Sequence, residues 1–381
     1  MAGMLQVEIM DAGTLDAAAV ALWRGWTAAN PDLASPYFHW EYAEIASRVC
    51  PGAAIAVFRR EGEIVGFFPH QRRGGAVQPL AAPMNDYHGV IAFPGEAPDL
   101  ATVARLLNGA RTTVSGWVGQ APDAIERSCV QAVLPPEGFD AWYAERRTTW
   151  SKYFKDKERA RRSLEAESGP IRVETGLRDP ALLDHLIDLK RGQYVRTGRH
   201  DVFACGWTRD LLHALMASEA DDFGASMSVL WAGDRLAACE FSLHAGDQWH
   251  FWFPAYEPDL ARCSPGILLS MDTMRAAGAL GYRSFDFGYA GEGYKKYFCN
   301  DTRIVSEAIL VRPGLGASLS QAAVGLVDKV AAGRGEALRA SVRRRWTAIE
   351  ACEVTSAARL RGGMAAARAA INKLSRQPVS A

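Results

Sequence analysis

FWFPAYEPDLARCSPGILLSMDTMRAAGALGYRSFDFGYAGEGYKKYFCN, residues Phe251 to Asn300, is the stretch around which the chain is organised. It reads as an aromatic strand, a Ser-Pro-Gly turn, a long helix, a second strand and a glycine-bearing run from Gly288 to Phe298. Ser264 suits an N-cap and Pro265 a first helical position, while Ile267, Leu268, Met271, Met274 and Leu280 keep helical spacing toward a core. A strand that feeds such a turn and opens a helix gathers backbone N–H groups and the positive helix end at one point. That arrangement suits an anionic ligand such as a pyrophosphate, with Arg262 as counter-charge. The competing reading is a well-capped helix that binds nothing.

Working outward, the segment before it forms a hairpin: Ser226 to Trp231, the turn Ala232-Gly233-Asp234-Arg235, and Leu236 to His244, followed by a strand from Gln248. Helices are expected at Pro180–Gly198 and Thr208–Glu219, after a strand at Ile171–Glu174. The first half carries a similar series. A strand at Leu5–Met10 and an amphipathic helix with Leu15, Val20, Leu22, Trp23 and Trp26 precede an aromatic helix from Tyr37 to Val49. The hairpin Ala53–Phe58/Ile64–Pro69 then closes on a charged glycine turn. Two hairpins with matching upstream helices indicate two copies of one α/β unit. Further expectations are a strand at Val90–Phe93, a helix at Leu100–Leu107, a strand at Thr112–Val118 and a short helix at Asp123–Cys129. The domain limits that follow are 1–150, a basic connecting helix at 151–170 rich in Lys and Arg, a second α/β unit at 171–312, and a basic helical tail at 313–381. The tail holds eleven Lys/Arg against four Asp/Glu and no strand signal.

Composition narrows the function classes. The 381 residues are 49% apolar and 23% charged with zero formal net charge, which gives no global electrostatic case for nucleic-acid polymers. Seven scattered cysteines without a Cys-x-x-Cys argue against a disulfide framework or a metal cluster and for a reducing compartment. No apolar run approaches bilayer length, so a cytoplasmic protein is expected, with peripheral contact to the inner membrane left open.

Several marks in order then carry a family resemblance: Ser35-Pro36-Tyr37, Asn85-Asp86-Tyr87, the basic helix Lys155–Leu164, Tyr256–Leu269 and Phe285–Phe298. In these the chain resembles the GNAT acyltransferase superfamily, specifically the CelD-like double-domain group of cellulose and exopolysaccharide biosynthesis, with kinship to Fem-type transferases. The resemblance implies tandem GNAT-like domains, mixed central sheets flanked by helices, and acyl transfer from acetyl-CoA or another acyl-CoA to an amine, often an amino sugar or a lipid-linked polysaccharide precursor. A Fem-like aminoacyl transfer, or a regulatory protein binding cyclic di-GMP or a membrane surface through its basic tail, are the rival expectations. The family's phosphate-binding turn falls on Arg262, Ser264, Pro265, Gly266 and Ile267. Its usual glycine pattern is reduced here to Gly266.

Such chemistry needs a base for the amine, a donor for the developing oxyanion and an acid for the thiolate. Strand alternation places Glu240 with Ser242 and His244 on one face of an otherwise apolar segment, making Glu240 the first choice of base or else a paired structural carboxylate. Asp286, between Phe285 and Phe287, is the second carboxylate. Tyr294 is the candidate acid and Lys295 its neighbour. Asp86, Tyr87 and His88 are expected to wall the acceptor site.

Overall fold

The computed structural model describes residues 3–218, 220–312 and 345–375. The first half runs β1 (Leu5–Met10), α1 (Ala17–Ala29), α2 (Trp40–Val49), β2 (Ala53–Arg60), β3 (Glu63–Arg73), β4 (Ala76–Pro79), a two-residue β5 (His88–Gly89), α3 (Leu100–Leu107), β6 (Arg111–Val118) and β7 (Ile125–Val133). Helices α4 (Phe139–Thr149) and α5 (Ser151–Ser168) lead to β8 (Ile171–Leu177), α6 (Pro180–Thr197), α7 (Trp207–Met216), β9 (Phe223–Ala232), β10 (Arg235–Ala245) and β11 (Gln248–Tyr256). The chain continues through α8 (Pro265–Ala279), β12 (Ser284–Tyr289), the short α9 (Lys295–Phe298) and β13 (Asp301–Val311). Residues 345–352 and Ser356–Ser375 are helical.

All strands join one mixed sheet in the order β1-β2-β3-β4-β6-β13-β7-β12-β11-β10-β9-β8, with β5 beside β6. Read from its two ends, the sheet gives the same series. β1 answers to β8, β2 to β9, β3 to β10, β4 to β11 and β6 to β12, and along this path only β4–β6 and β11–β12 are parallel. The last strand of each series is exchanged: β13 lies against β6, β7 lies against β12, and the two pair with each other in the middle. Each exchanged strand satisfies its backbone groups on strands from far along the sequence, so the ladder runs unbroken through the centre.

Packing follows the same symmetry. On one face α1, α2, α6 and α7 share a core in which Trp23, Phe38 and Tyr42 meet Leu186, Leu211 and Phe241. On the other, Phe154, Leu268, Met274 and Phe285 pack beneath α5 and α8, and Phe58, Val103, Leu107 and Trp117 beneath α3. Each large side chain fully buried here contributes about 1.5–3 kcal/mol of transfer free energy. Helix ends follow their sequence signals. Asp16 accepts the Ala19 N–H, Asp179 accepts that of Ala181 beside Pro180, and Gly198 closes α6 at φ 64°.

Two local expectations are corrected. The helix expected at Asp123–Cys129 is strand β7. Its charged residues suit an exposed helix, but Cys129 pairs with Arg303 on one side and Tyr289 on the other, and this distant pairing overrides local preference. The strand expected at Val90–Phe93 reduces to β5 and a single Phe67–Ile91 bridge. Of the tail, Arg345, Arg359 and Arg361 fall among the described residues, whereas Lys329, Arg334, Arg339, Arg343, Arg344 and Arg376 lie outside them. Among the described residues no helix is long and apolar enough to cross a membrane.

Candidate active site

The site grows from an interruption in the sheet. Parallel strands β11 and β12 share three paired positions, Gln248↔Ser284, Trp249↔Phe285 and His250↔Asp286, and their pairing then stops although β11 continues to Tyr256. On its other side β11 bulges: Phe241 faces Phe253 and Ser242 faces Phe251, leaving Trp252 as the extra residue. The edge of β11 beyond His250 is therefore open toward β12, and polar side chains collect at this point.

Glu240 on β10 is 1% exposed. Burial pushes its carboxyl up to about 8, with Lys190, Ser270 and His250 acting in the opposite sense. Ser270 Oγ on α8 lies 3.4 Å from Glu240 Oε2 and donates to Gly266 O at 3.1 Å. A hydroxyl has one proton to give, so Ser270 donates either to Glu240 or to Gly266 O at any one time. Lys190, on α6, is lowered to about 8 by its own burial, against the attraction of Glu240.

Where the strands part, His250 is fully buried between two carboxylates. Its Nε2 lies 3.0 Å from Asp86 Oδ2 and its Nδ1 3.6 Å from Asp286 Oδ1. Burial alone would depress this imidazole, but Asp286 and Asp86 outweigh it and hold the ring up at about 9, charged at neutral pH. Asp286 also accepts from Tyr87 Oη at 2.8 Å, Gln131 Nε2 at 3.0 Å and the Gly288 N–H at 2.6 Å. Despite burial, His250 and these donors keep its carboxyl ionised down to about 2. Gly288 sits at φ 65°, where a Cβ would stand 3.2 Å from Asp86 Oδ2, so the close approach of the two halves favours glycine there. Asp86 and Tyr87 come from the first half and His250 and Asp286 from the second. Asp86 keeps 32% of its side chain exposed and forms the open end of the network.

The start of α8 forms the other side. Ser264 is left-handed at φ 51° and its side chain caps no N–H, contrary to its expected capping role. Pro265 has no N–H, and those of Ile267 and Leu268 go to Ser264 O, which leaves the Gly266 N–H free of these bonds. Lys157 of α5 reaches across, donating to Ser264 Oγ at 2.8 Å with its ammonium 5.2 Å from the centre of the Tyr153 ring. Burial lowers its pKa. A cation beside the positive end of a helix is repelled by it, and an anion between them would relieve both. Arg262, the expected counter-charge, instead pairs with Glu167 at 2.5 Å on the surface.

Residues 151–296 match the family model of the acetyltransferase (GNAT) domain. This segment is similar to a GNAT acetyltransferase domain. No curated protein matches the chain. Among solved structures, FemX aligns over 82% of this chain and 99% of its own, with 12% identity and a TM-score of 0.47. A tandem GNAT protein from the clavulanic acid biosynthesis pathway aligns over 82% and 100%, with 12% identity and a TM-score of 0.44. A C-terminal DUF2156 domain from Agrobacterium fabrum aligns over 76% and 91%, with 14% identity and a TM-score of 0.45.

The remaining candidates take distinct places. Lys295 is buried and donates to Phe287 O and Tyr289 O, each at 2.6 Å, and to Glu292 Oε2 at 2.6 Å. Its three protons are thereby used, and it holds the open carbonyl edge of β12. Tyr294 is half-buried and packs edge-on to Phe298. Burial and then Glu240 raise its phenol pKa, so it remains a proton donor. His88 stands apart from the charged network. Its Nε2 accepts the N–H groups of Ser115 and Gly116 at 3.1 Å each, and burial depresses it to about 3. It is a neutral acceptor that ties the loop to β6. His250, Gln131 and Ser270 escaped the sequence reading, and Lys157 entered it only as one charge of the basic helix; a lone histidine in the aromatic run Gln248–Phe253 was the available signal for the first.

Proposed function

We propose that the chain is an acyl-CoA-dependent N-acyltransferase whose acceptor is an amino sugar or its lipid-linked precursor in exopolysaccharide assembly. The residues present fit a coenzyme A thioester: the Gly266 N–H, the uncapped start of α8 and Lys157 would hold its phosphates, and the open edge of β11 its amide-bearing arm. When bound, the thioester supplies an acyl carbon already activated toward an amine.

The chain's own residues do the rest. Asp86, partly exposed, attracts and orients the acceptor's ammonium. Glu240, with its carboxyl near 8, accepts the proton the amine gives up as it attacks, because a base matched to working pH is the most effective one. His250 and Asp286 keep Asp86 in place, and Tyr294 holds a proton at its phenol oxygen for the departing sulfur. The observation that carries this reading is Ser270, one hydroxyl that touches both Glu240 and the first turn of α8 and so joins the base to the donor-binding turn. An acceptor carrying one amine suits a mouth at which Asp86 presents a partly exposed carboxylate.

Titration with acetyl-CoA followed by turnover on amino-sugar acceptors tests it. The expected result is binding, acylation of the sugar amine, and loss of turnover but not of binding in Glu240→Gln. Binding without turnover on any amino sugar, but with turnover on peptide amines, would overturn the acceptor. Indifference to every acyl-CoA alongside use of aminoacyl-tRNA would replace the donor with that of a Fem-like enzyme.

A further inference from the structure

Away from the site, two thiols converge on one carbonyl oxygen. Cys205, in the loop before α7, has its Sγ 3.2 Å from Val202 O, and Cys352, at the end of the helical residues 345–352, has its Sγ 3.9 Å from the same atom. The shared acceptor brings the two side chains to one point of the fold. Both are free, Cys352 buried and Cys205 half-buried between the exposed Ala204 and Gly206. We infer that Cys205 and Cys352 form a dithiol–disulfide modification site that takes a small anionic disulfide such as oxidised glutathione and, once oxidised, locks the C-terminal segment onto the protein.

The surroundings favour this pair. Hydrogen bonding from Cys352, with further help from the side chain and backbone of Thr208, lowers the pKa of Cys205 below its ordinary value against the effect of burial. That makes Cys205 the attacking sulfur. The other buried thiol nearby, Cys50, is pushed up to about 12 by burial and is the poorer nucleophile. A cavity of about 510 Å³ opens beside the pair, and its wall includes Ala204 and Glu353, the residues flanking the two cysteines, together with Arg199, His200 and Arg361. Glutathione carries carboxylates, and these arginines offer them charge-assisted hydrogen bonds.

The exchange balances. The Cys205 thiolate attacks one sulfur of glutathione disulfide, forming a mixed disulfide and expelling one glutathione thiolate. Cys352 then gives its proton to that thiolate, attacks Cys205 Sγ and expels the second glutathione as a thiolate, which takes up from solvent the proton Cys205 lost on ionising. Two protein thiols are oxidised and one glutathione disulfide is reduced to two thiols.

The consequence lies in what Cys352 anchors. The segment around it is wedged between the halves. Arg73 Nε donates to Ala351 O at 3.0 Å, Gln78 Nε2 to Glu350 Oε2 at 3.3 Å, and Trp207 Nε1 to Cys352 O at 3.0 Å, while Arg111 pairs with Glu350. A bond from Cys205 to Cys352 makes this contact covalent.

The test treats the full-length, fully reduced protein with oxidised glutathione, blocks remaining thiols by alkylation and maps peptides by mass spectrometry. The expected product is a Cys205–Cys352 cross-link, lighter by two hydrogens, reversed by dithiothreitol. It is accompanied by slower protease cleavage within residues 345–375 and is absent in Cys205→Ser. A stable glutathione adduct on either cysteine, a cross-link to Cys50, or oxidation seen only in denaturant would overturn the proposal. Because the wild-type chain supplies the map, the result does not depend on whether a Cys352→Ser variant folds.

Discussion

Helices α3 and α8 occupy the same place in the two halves, each between the parallel strands of its junction, and their first turns differ in charge. Asp99 caps α3, its carboxylate accepting the Thr102 N–H at 2.7 Å, so that helix end already has its anion. The start of α8 has no side-chain cap and has Lys157 beside it. The strand junctions differ in the same sense. Val77 and Val114 lie among apolar side chains near β4–β6, whereas β11–β12 carries the Asp86–His250–Asp286 network and the neighbouring Glu240. One frame, used twice, became on one side a junction whose polar groups Gln78 and Arg111 are taken up by Glu350, and on the other a polar opening. The lesson is that the fold supplies the opening, and a few charged substitutions decide whether it can work.

The contrast is most sharply broken at Glu240. Glu240→Gln is expected to lower kcat/KM by about 10²–10⁴-fold, the usual range for a lost general base, with acyl-CoA affinity unchanged. In the wild type, kcat/KM should climb as pH passes through about 8, where Glu240 ionises, and steady-state profiles of the variant should lack that limb. A wild-type rate in Glu240→Gln would move the base elsewhere, with Asp86 next in line.

At the helix starts the expected effects are smaller. Lys157→Glu should weaken acetyl-CoA binding by roughly 10–100-fold, the equivalent of one charge-assisted hydrogen bond, as read by calorimetric titration.

Stability should depend on pH in a definite direction. His250 is raised to about 9, so its stabilising share is complete below its ordinary value near 6.5 and lost as pH rises through about 9. Glu240, raised from 4.5 to about 8, likewise favours the folded state less as pH climbs across that interval. Asp286 acts at the other end, its contribution disappearing only as pH falls toward about 2. The urea midpoint should therefore fall between neutral pH and about pH 9, and Tyr87→Phe, which removes one donor to Asp286, should lower the unfolding free energy throughout by about 1–3 kcal/mol. A midpoint that stays flat to pH 10 would mean His250 is neutral.

The smallest effect is expected in the first half. Asp99→Ala should cost about 1 kcal/mol of stability, as lost caps do, and leave turnover untouched.

What could be read in the sequence was local. The Ser264-Pro265-Gly266 turn, the two charged glycine hairpins and the buried carboxylate of Glu240 each announce themselves within a dozen residues. Alternation along β10 was enough to single out Glu240. His250 could not be found this way, because its meaning depends on Asp86, 164 residues earlier, reached only after the halves close on each other. Lys157 was hidden in a run of like charges, and only the packing of α5 against α8 separates it from solvent-facing neighbours such as Lys155 and Arg159. Lys295 shows the reverse, a residue whose type suggested chemistry and whose three donors are spent on holding the backbone. The exchange of β7 and β13 was equally invisible, since strand order is set by pairing and not by the composition of either strand.

The most direct measurement is a calorimetric titration of acetyl-CoA into the wild type, Lys157→Glu and Asp99→Ala. The account predicts one site per chain, weakened by Lys157→Glu and unchanged by Asp99→Ala. Two sites per chain, or an affinity indifferent to Lys157, would contradict the assignment of donor binding to the start of α8.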